Sequence, residues 1–176
     1  MDKLSLKPEP KIRQVEIQDF YKLCDKLANE VNKKIKSLKQ GSSYPITIVP
    51  IPRNGLIPAQ AISYRLEQRP KFFSLDPYLL EKNVNAVTES DRAMLHHINM
   101  LSQCTLKNHI VILVDTVFAS GKTLGTINRF VRERNPHYVI TASVYSFLPD
   151  SEWQPEIVAS KLKSSNQDLW LSFPWE

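Results

Sequence analysis

The sequence predicts an α/β protein built on a doubly wound, mainly parallel sheet, and three observations carry that prediction. Apolar runs of strand length alternate with segments of helical spacing along the chain. The run His109-Ile-Val-Ile-Leu-Val-Asp115 is apolar from Ile110 up to its acid, as suits a strand buried on both faces of a parallel sheet. Two loops suited to anions, Arg53-Asn-Gly55 and Asp115 to Thr123, each follow such a run. Both therefore fall at the carboxyl edge of the strands, where open α/β sheets bind ligands.

Residues 1–13 are polar, contain Pro8 and Pro10, and read as an N-terminal arm. Residues 14–176 read as one domain, in keeping with a chain of 176 residues. From Gln14 to about Lys39, the positions Val15, Phe20, Leu23, Leu27, Val31, Ile35 and Leu38 recur at helical spacing. Lysines crowd the second half of that segment, where they complement the helix dipole, and Gly41 is its stop. Ile46 to Val49 is a strand closed by Pro50 and Pro52, which have no N–H to give a ladder. Arg53-Asn-Gly55-Leu-Ile-Pro58 then opens a helix to about Leu66, with Pro58 in its first turn. Lys71 to Leu75 reads as a further strand.

Residues 77–105 are polar and lack a sheet period, with one helical stretch from about Ser90 to Leu101. A connection of that length inside a compact domain reads as a flexible lid. Strand 109–114, helix 122–134 and strand 138–147 form a βαβ unit, right-handed by the usual crossover rule. Beyond Pro155 an edge strand is expected from Ile157 to Leu162, followed by the tail Gln167 to Glu176.

Composition narrows the function classes. The 42% apolar and 23% charged fractions are those of an ordinary globular domain, and no apolar run reaches membrane-spanning length. The start, Met1-Asp-Lys-Leu-Ser-Leu-Lys, lacks the apolar block of a signal peptide. Cys24 and Cys104 have no metal-ligand spacing and read as reduced thiols, so a cytoplasmic location without a membrane partner is expected. The net charge of +5 comes from lysines and arginines spread along the chain, with no basic stripe among aromatics, so no nucleic-acid partner is expected. His96 and His97 are adjacent; on a helix they would diverge by about a hundred degrees, a poor metal pair.

The chemistry concentrates between Asp115 and Thr123. A carboxylate at the strand end can accept hydrogen bonds from sugar hydroxyls, and the loop and helix N-terminus that follow offer backbone N–H groups to a phosphate. Glycine is scarce, with only Gly41, Gly55, Gly121 and Gly125 in the chain, so Gly121 in this turn marks a position needing a positive φ or close ligand approach. A nucleoside-triphosphatase loop is excluded, because the glycine it needs five residues before Gly121 is Thr116. Two anion-compatible loops at one crevice imply a ligand with phosphate groups at two positions.

These motifs resemble the type I phosphoribosyltransferases. The strand, acid, hydroxylic residues, glycine and threonine of that family appear here as Val111-Ile-Leu-Val-Asp115-Thr-Val-Phe-Ala-Ser-Gly121-Lys-Thr123, and its pyrophosphate loop as Arg53-Asn-Gly55-Leu-Ile-Pro58. The ending Gln167-Asp-Leu-Trp170 through Phe173-Pro-Trp175-Glu176 is similar to the C-terminal hood of the bacterial and archaeal xanthine-guanine and hypoxanthine branch. The resemblance implies phosphoribosyl pyrophosphate (PRPP), Mg²⁺ and a nucleobase acceptor or its nucleoside monophosphate product, in a homo-oligomer. It implies that Ala119, Ser120, Gly121, Lys122 and Thr123 hold the 5′-phosphate. Asp115, with Thr116 beside it, would meet the ribose and the metal. Arg53, Asn54 and Gly55 would meet the pyrophosphate, and Arg53 and Asp115 would carry the catalysis. Residues 150–176 would form a small hood over the base, with Trp170 stacking on it and the Trp170 and Leu171 backbone reading its edge. Tyr78, Ser90 and Arg92 lie in the 77–105 lid.

Three positions depart from the family pattern. Thr116 stands where relatives carry a second acid, and Ala119 where 6-oxopurine enzymes carry an aspartate. Val144-Tyr-Ser-Phe147-Leu-Pro149 lacks the lysine that contacts the purine oxygen in that branch. The base is left open by these departures, which also support an alternative: a sensor or regulator that binds PRPP or a nucleotide with little turnover.

Overall fold

A computed structural model describes residues 11–39, 41–52, 54–73, 105–147, 153–163 and 169–175. Arg53, the helix expected at 90–101 and Cys104 lie outside them. In chain order the elements are β1 (Lys11–Gln14), α1 (Ile17–Lys39), β2 (Ile46–Pro50), α2 (Leu56–Arg65), β3 (Lys71–Phe72) and β4 (Ile110–Phe118). They continue with α3 (Lys122–Arg132), β5 (Tyr138–Phe147), β6 (Ile157–Leu162) and β7 (Leu169–Ser172).

The main sheet has the order β3-β2-β4-β5-β6 and every pairing in it is parallel. Helices cover both faces. Phe20, Cys24, Leu27, Ala28, Val31 and Ile35 of α1, with Ala59 and Ile62 of α2, pack on Ile48, Ile112, Val114 and Ile140. On the opposite face Leu124, Ile127 and Val131 of α3 pack on Val49, Val111, Leu113 and Val139. Each fully buried large side chain contributes about 1.5–3 kcal/mol, so both layers are held mainly by apolar burial. The doubly wound α/β fold is as the sequence predicts. Cys24 belongs to this packing: burial pushes its thiol up to about 12, which makes it inert. No helix among the described residues is long and apolar enough to cross a membrane.

The strand order places the site. The chain runs from β2 outward to β3, then returns to the other side of β2 as β4. The loops leaving β2 and β4 therefore diverge at the switch point, where such sheets open a crevice. The two strands stay in register to the last rung, Pro50 with Val114, and the Ile51 N–H still donates to the Val114 carbonyl at 2.8 Å. Asp115 is the next residue on β4.

Several boundaries differ from the sequence reading. The first helix starts at Ile17 rather than Gln14, because Lys11–Gln14 form β1, which pairs parallel with β7 from Lys11 with Leu169 to Gln14 with Ser172. Val15 extends this pairing through its N–H to the Ser172 carbonyl at 2.9 Å. Of the range 150–176 expected as the hood, Ile157–Leu162 is the edge strand of the main sheet, and only Leu169–Ser172 joins β1 in a separate two-stranded sheet. Strand β3 stops at Phe72 instead of Leu75, and α3 stops at Arg132, two residues early. Asn135, at φ 50°, and Pro136 end that helix, the one by a left-handed turn and the other by having no N–H to offer.

Strand β4 is longer than expected. It continues past Asp115 to Phe118, so the acid lies within the strand and not at its end. The side-chain alternation slips there: Ile112 and Val114 face the α1 layer, and so do Val117 and Ala119, while Phe118 faces the α3 layer. The ladder to β5 runs through Asp115 with Ser143 and resumes at Val117 with Tyr145.

Candidate active site

Asp115 sits at this slip, half-buried. The Thr116 N–H donates to Asp115 Oδ1 at 2.7 Å, and the Val117 N–H also points at the carboxylate. These amides favour the charged form, but burial outweighs them and pushes the carboxyl up to about 6. A carboxylate so disfavoured by its surroundings gains from polar ligand hydroxyls or a cation brought to it. The Thr116 side chain turns inward: it is only 1% exposed, and its hydroxyl has no hydrogen-bond partner among the described residues. The neighbouring Ser143 hydroxyl, opposite Asp115, is likewise buried and unpartnered. The structure thus gives Thr116 a backbone role beside Asp115 and places its hydroxyl in the core.

The turn after β4 has the features its residues imply. Gly121 is the N-cap of α3 at φ 76°, ψ −5°, a left-handed conformation in which a Cβ would also lie 2.9 Å from the Phe118 ring. The N-cap glycine has no side chain to cap this helix and no acid lies in its first turn; the Lys122 N–H reaches the Ser120 hydroxyl only at 3.5 Å, and the dipole and the other N–H groups of the turn favour an anion. Asp115, Val117, Phe118, Ala119, Ser120, Gly121, Thr123 and Leu124 line a cavity of about 80 Å³ there. That equals two to three waters at about 30 Å³ each, room for one oxyanion and not for an extended ligand. Ser120 in this lining is exposed, as is Lys122, which does not line the cavity.

A second cavity, of about 250 Å³, adjoins the first through Val117 and Ala119. Its other walls are Asn54, Phe147, Leu169, Trp170, Leu171 and Phe173. The lining among the described residues is apolar apart from Asn54, as small-molecule sites with few polar contacts are. Trp170 contributes to it while remaining 58% exposed, and Leu171 is buried. The structure therefore brings Asp115, Ala119, Ser120, Gly121 and Thr123 around the first cavity and Asn54, Ala119, Trp170 and Leu171 around the second, while Thr116, Gly55 and Lys122 line neither.

Gly55 stands behind Asn54 and caps α2 with ordinary helical angles. It is required for space: a Cβ would lie 2.5 Å from the carbonyl oxygens of both Ile51 and Val114. The α2 N-terminus is thereby pressed onto the last rung between β2 and β4. Among the described residues no cluster of three acids, histidines or cysteines could hold a metal by itself. The single carboxylate of Asp115 suits a Mg²⁺ that arrives on phosphate oxygens, since this ion is commonly bound by one or two carboxylates plus substrate.

Two features escaped the sequence reading. Trp175 Nε1 donates to Asn54 Oδ1 at 3.1 Å, tying the end of the chain to the loop after β2. Trp175 also stacks on Phe173 at 5.0 Å and meets Phe20 of α1 edge-on at 4.8 Å. The second feature is β1, whose Ile12 pairs with Trp170. A tail rich in aromatics signals packing, but no spacing rule names its partner.

Comparison with known proteins agrees with this geometry. No curated protein matches the chain in sequence. Its fold is similar to the crystal structure of a purine phosphoribosyltransferase from Pyrococcus horikoshii, with a TM-score of 0.65 at 20% identity over 94% of each chain. It is also similar to a hypoxanthine-guanine phosphoribosyltransferase from Bacillus anthracis, at a TM-score of 0.60 and 13% identity, covering 88% of this chain and 84% of that one. A hypoxanthine phosphoribosyltransferase from Trypanosoma cruzi gives a TM-score of 0.61 at 10% identity, covering 85% and 79%. The family model of the phosphoribosyl transferase domain matches residues 13–175, nearly the whole chain, and with the fold and the glycine turn in place we conclude that the chain belongs to the phosphoribosyltransferase family of enzymes.

Proposed function

We propose that this enzyme moves the phosphoribosyl group of PRPP onto a purine-like nucleobase, releasing pyrophosphate. The observation that carries the reading is Asp115 in the wall of a small cavity at the glycine turn, sized for one phosphate, which shares Val117 and Ala119 with an apolar cavity sized for a flat base. The bond from ribose C1 to pyrophosphate breaks, a ring nitrogen of the base bonds to C1, and that nitrogen's proton leaves to solvent. The α3 turn anchors the 5′-phosphate, and the Asp115 carboxylate accepts from the ribose hydroxyls, a charge-assisted contact. Together they fix C1 against the base cavity, and positioning of this kind is a major part of the rate in such displacements. Asn54, Gly55 and, by the family pattern, Arg53 meet the pyrophosphate. The apolar walls keep water from the cationic sugar. Asp115 is the residue that would hold a Mg²⁺ brought in by the substrate, and the ion would supply charge neutralisation for the departing pyrophosphate.

A second reading, a PRPP or nucleotide sensor with little turnover, is favoured by Ala119 and by the inward Thr116 hydroxyl, which leave one acid at the ribose. One experiment separates the two: purified protein with PRPP, Mg²⁺ and a panel of bases, scored for pyrophosphate release. Release with one base supports transfer; binding of PRPP without release from any base supports the sensor. The proposal includes a homo-oligomer, supported by an apolar groove of about 740 Å³ between α1 and α2 with Leu56 and Tyr64 exposed along it. Light scattering reads that assembly directly.

A further inference from the structure

Trp153 plays no part in the site described so far, yet its indole lies against the first turn of α3. A Cβ placed on Gly121 would come within 3.4 Å of Trp153 Nε1, and one placed on Gly125 within 3.5 Å of both Nε1 and Cζ2. These two residues are four apart and share one face of the turn. They are two of only four glycines in the chain. The indole therefore packs on bare backbone, at the turn whose amides line the small cavity. Phe118, itself a wall of that cavity, meets the indole edge-on at 5.2 Å and 74°.

The segment carrying Trp153 is tied to the main sheet. The Ser146 hydroxyl donates to Gln154 Oε1 at 2.7 Å, and the Glu156 N–H donates to the Thr141 hydroxyl at 3.0 Å. Both anchors are on β5. A brace thus runs from β5 through Gln154 and Trp153 to the α3 turn. That turn needs one: glycine is a weak helix former, two glycines stand here, and the side-chain contact at its start, the Lys122 N–H to the Ser120 hydroxyl, is long at 3.5 Å.

We propose that Trp153 is a positioning residue that holds the glycine turn in its phosphate-binding form. This rests on the reading that the turn binds the 5′-phosphate. Trp170 lines the base cavity and Trp175 ties the tail to Asn54, whereas Trp153 packs on the turn at the phosphate end and is not among the residues lining the base cavity. It therefore governs affinity for the phosphate end of the ligand and leaves affinity for the base alone.

The test uses ribose 5-phosphate and PRPP, each with Mg²⁺, titrated into the full chain and into Trp153→Ala, Trp153→Phe and Gly125→Leu. Trp153→Ala deletes the brace, and Gly125→Leu pushes the indole aside while keeping it in the chain. Both are expected to weaken ribose 5-phosphate at least fivefold and to raise KM for PRPP in proportion, with KM for the base within twofold. Trp153→Phe restores most of the affinity. Ribose 5-phosphate is also expected to shift the tryptophan emission of the parent protein, and that shift disappears in Trp153→Phe. Variants that are folded and bind ribose 5-phosphate within twofold of the parent overturn the inference, as does an equal loss of base and phosphate affinity. Should Trp153→Ala not fold, Gly125→Leu and Trp153→Phe decide it. A parent protein that binds neither ribose 5-phosphate nor PRPP overturns the functional reading itself, and the inference with it.

Discussion

Replacing Asp115 by asparagine keeps the side chain's size and its acceptor oxygen for the Thr116 N–H, and removes one negative charge from a half-buried site. Burial raises this carboxyl from an ordinary 3.8 to about 6. At about 1.36 kcal/mol per pKa unit, the ionised form is therefore held in the folded chain at a cost of about 3 kcal/mol. The sign follows from linkage. The folded state binds the proton more tightly than the unfolded chain, so stability from this group is intact below about pH 4 and is lost as pH rises towards 6. Above pH 6 the full cost persists. Asparagine has no such cost, so Asp115→Asn is expected to be the more stable protein at pH 7.5, by up to about 3 kcal/mol. For a chain of this size that is a rise in Tm of about 2–4 °C per kcal/mol. The two proteins converge at pH 4, where other groups titrate alike in both. Urea unfolding of parent and variant at pH 7.5, 6 and 4 reads the difference directly. PRPP with Mg²⁺ should then reverse the order, because only the carboxylate offers a charged acceptor. A variant that is less stable than the parent at pH 7.5, or a difference that does not change with pH, would refute this account of the Asp115 environment.

Other predictions follow from the same geometry. Asp115→Asn and Arg53→Ala are each expected to reduce turnover by about tenfold or more without unfolding the chain, in a pyrophosphate-release assay; near-normal rates in both would place the active site elsewhere. Trp170→Ala should weaken the base by roughly tenfold, the value of one base–aromatic stack, and PRPP much less; steady-state KM values for both substrates test this, and the reverse order would undo the tail's role. Trp175→Phe removes the donor to Asn54 and keeps the ring, so it should cost about 0.5–1.5 kcal/mol in PRPP affinity, and a double-mutant cycle with Asn54→Ala should show the two coupled. Gly55→Ala has no room between two backbone carbonyls and should lower stability by about 1–3 kcal/mol, read as a lower urea midpoint at unchanged slope.

What could be read from the sequence follows from what each signal encodes. The run up to Asp115 is legible because a strand buried on both faces must be apolar throughout, and its acid breaks the rule for a ligand. Gly121 is legible because so few glycines compete with it, and its φ of 76° bears that out. Strand β1 is not legible: all four of its residues, Lys11–Gln14, are exposed, so no alternation marks them. The extension of β4 to Phe118 was hidden by the slip in side-chain alternation at Thr116, which a strict two-residue period cannot anticipate. Trp153 and Trp175 were hidden for a different reason. Their importance lies in contacts with Gly125, Gly121 and Asn54, distant in sequence, and a single chain carries no record of such pairs. The Thr116 hydroxyl shows the converse, a polar side chain that looks available in the motif and is turned into the core by its strand.

The central claim is that one carboxylate and one glycine turn share a crevice made for a phosphorylated pentose. Titration calorimetry of the full chain with PRPP in the presence of Mg²⁺ tests it most directly. The account predicts saturable heat at one site per chain, competed by ribose 5-phosphate and weakened in Asp115→Asn. A flat titration with PRPP, repeated with nucleoside monophosphates, would contradict it.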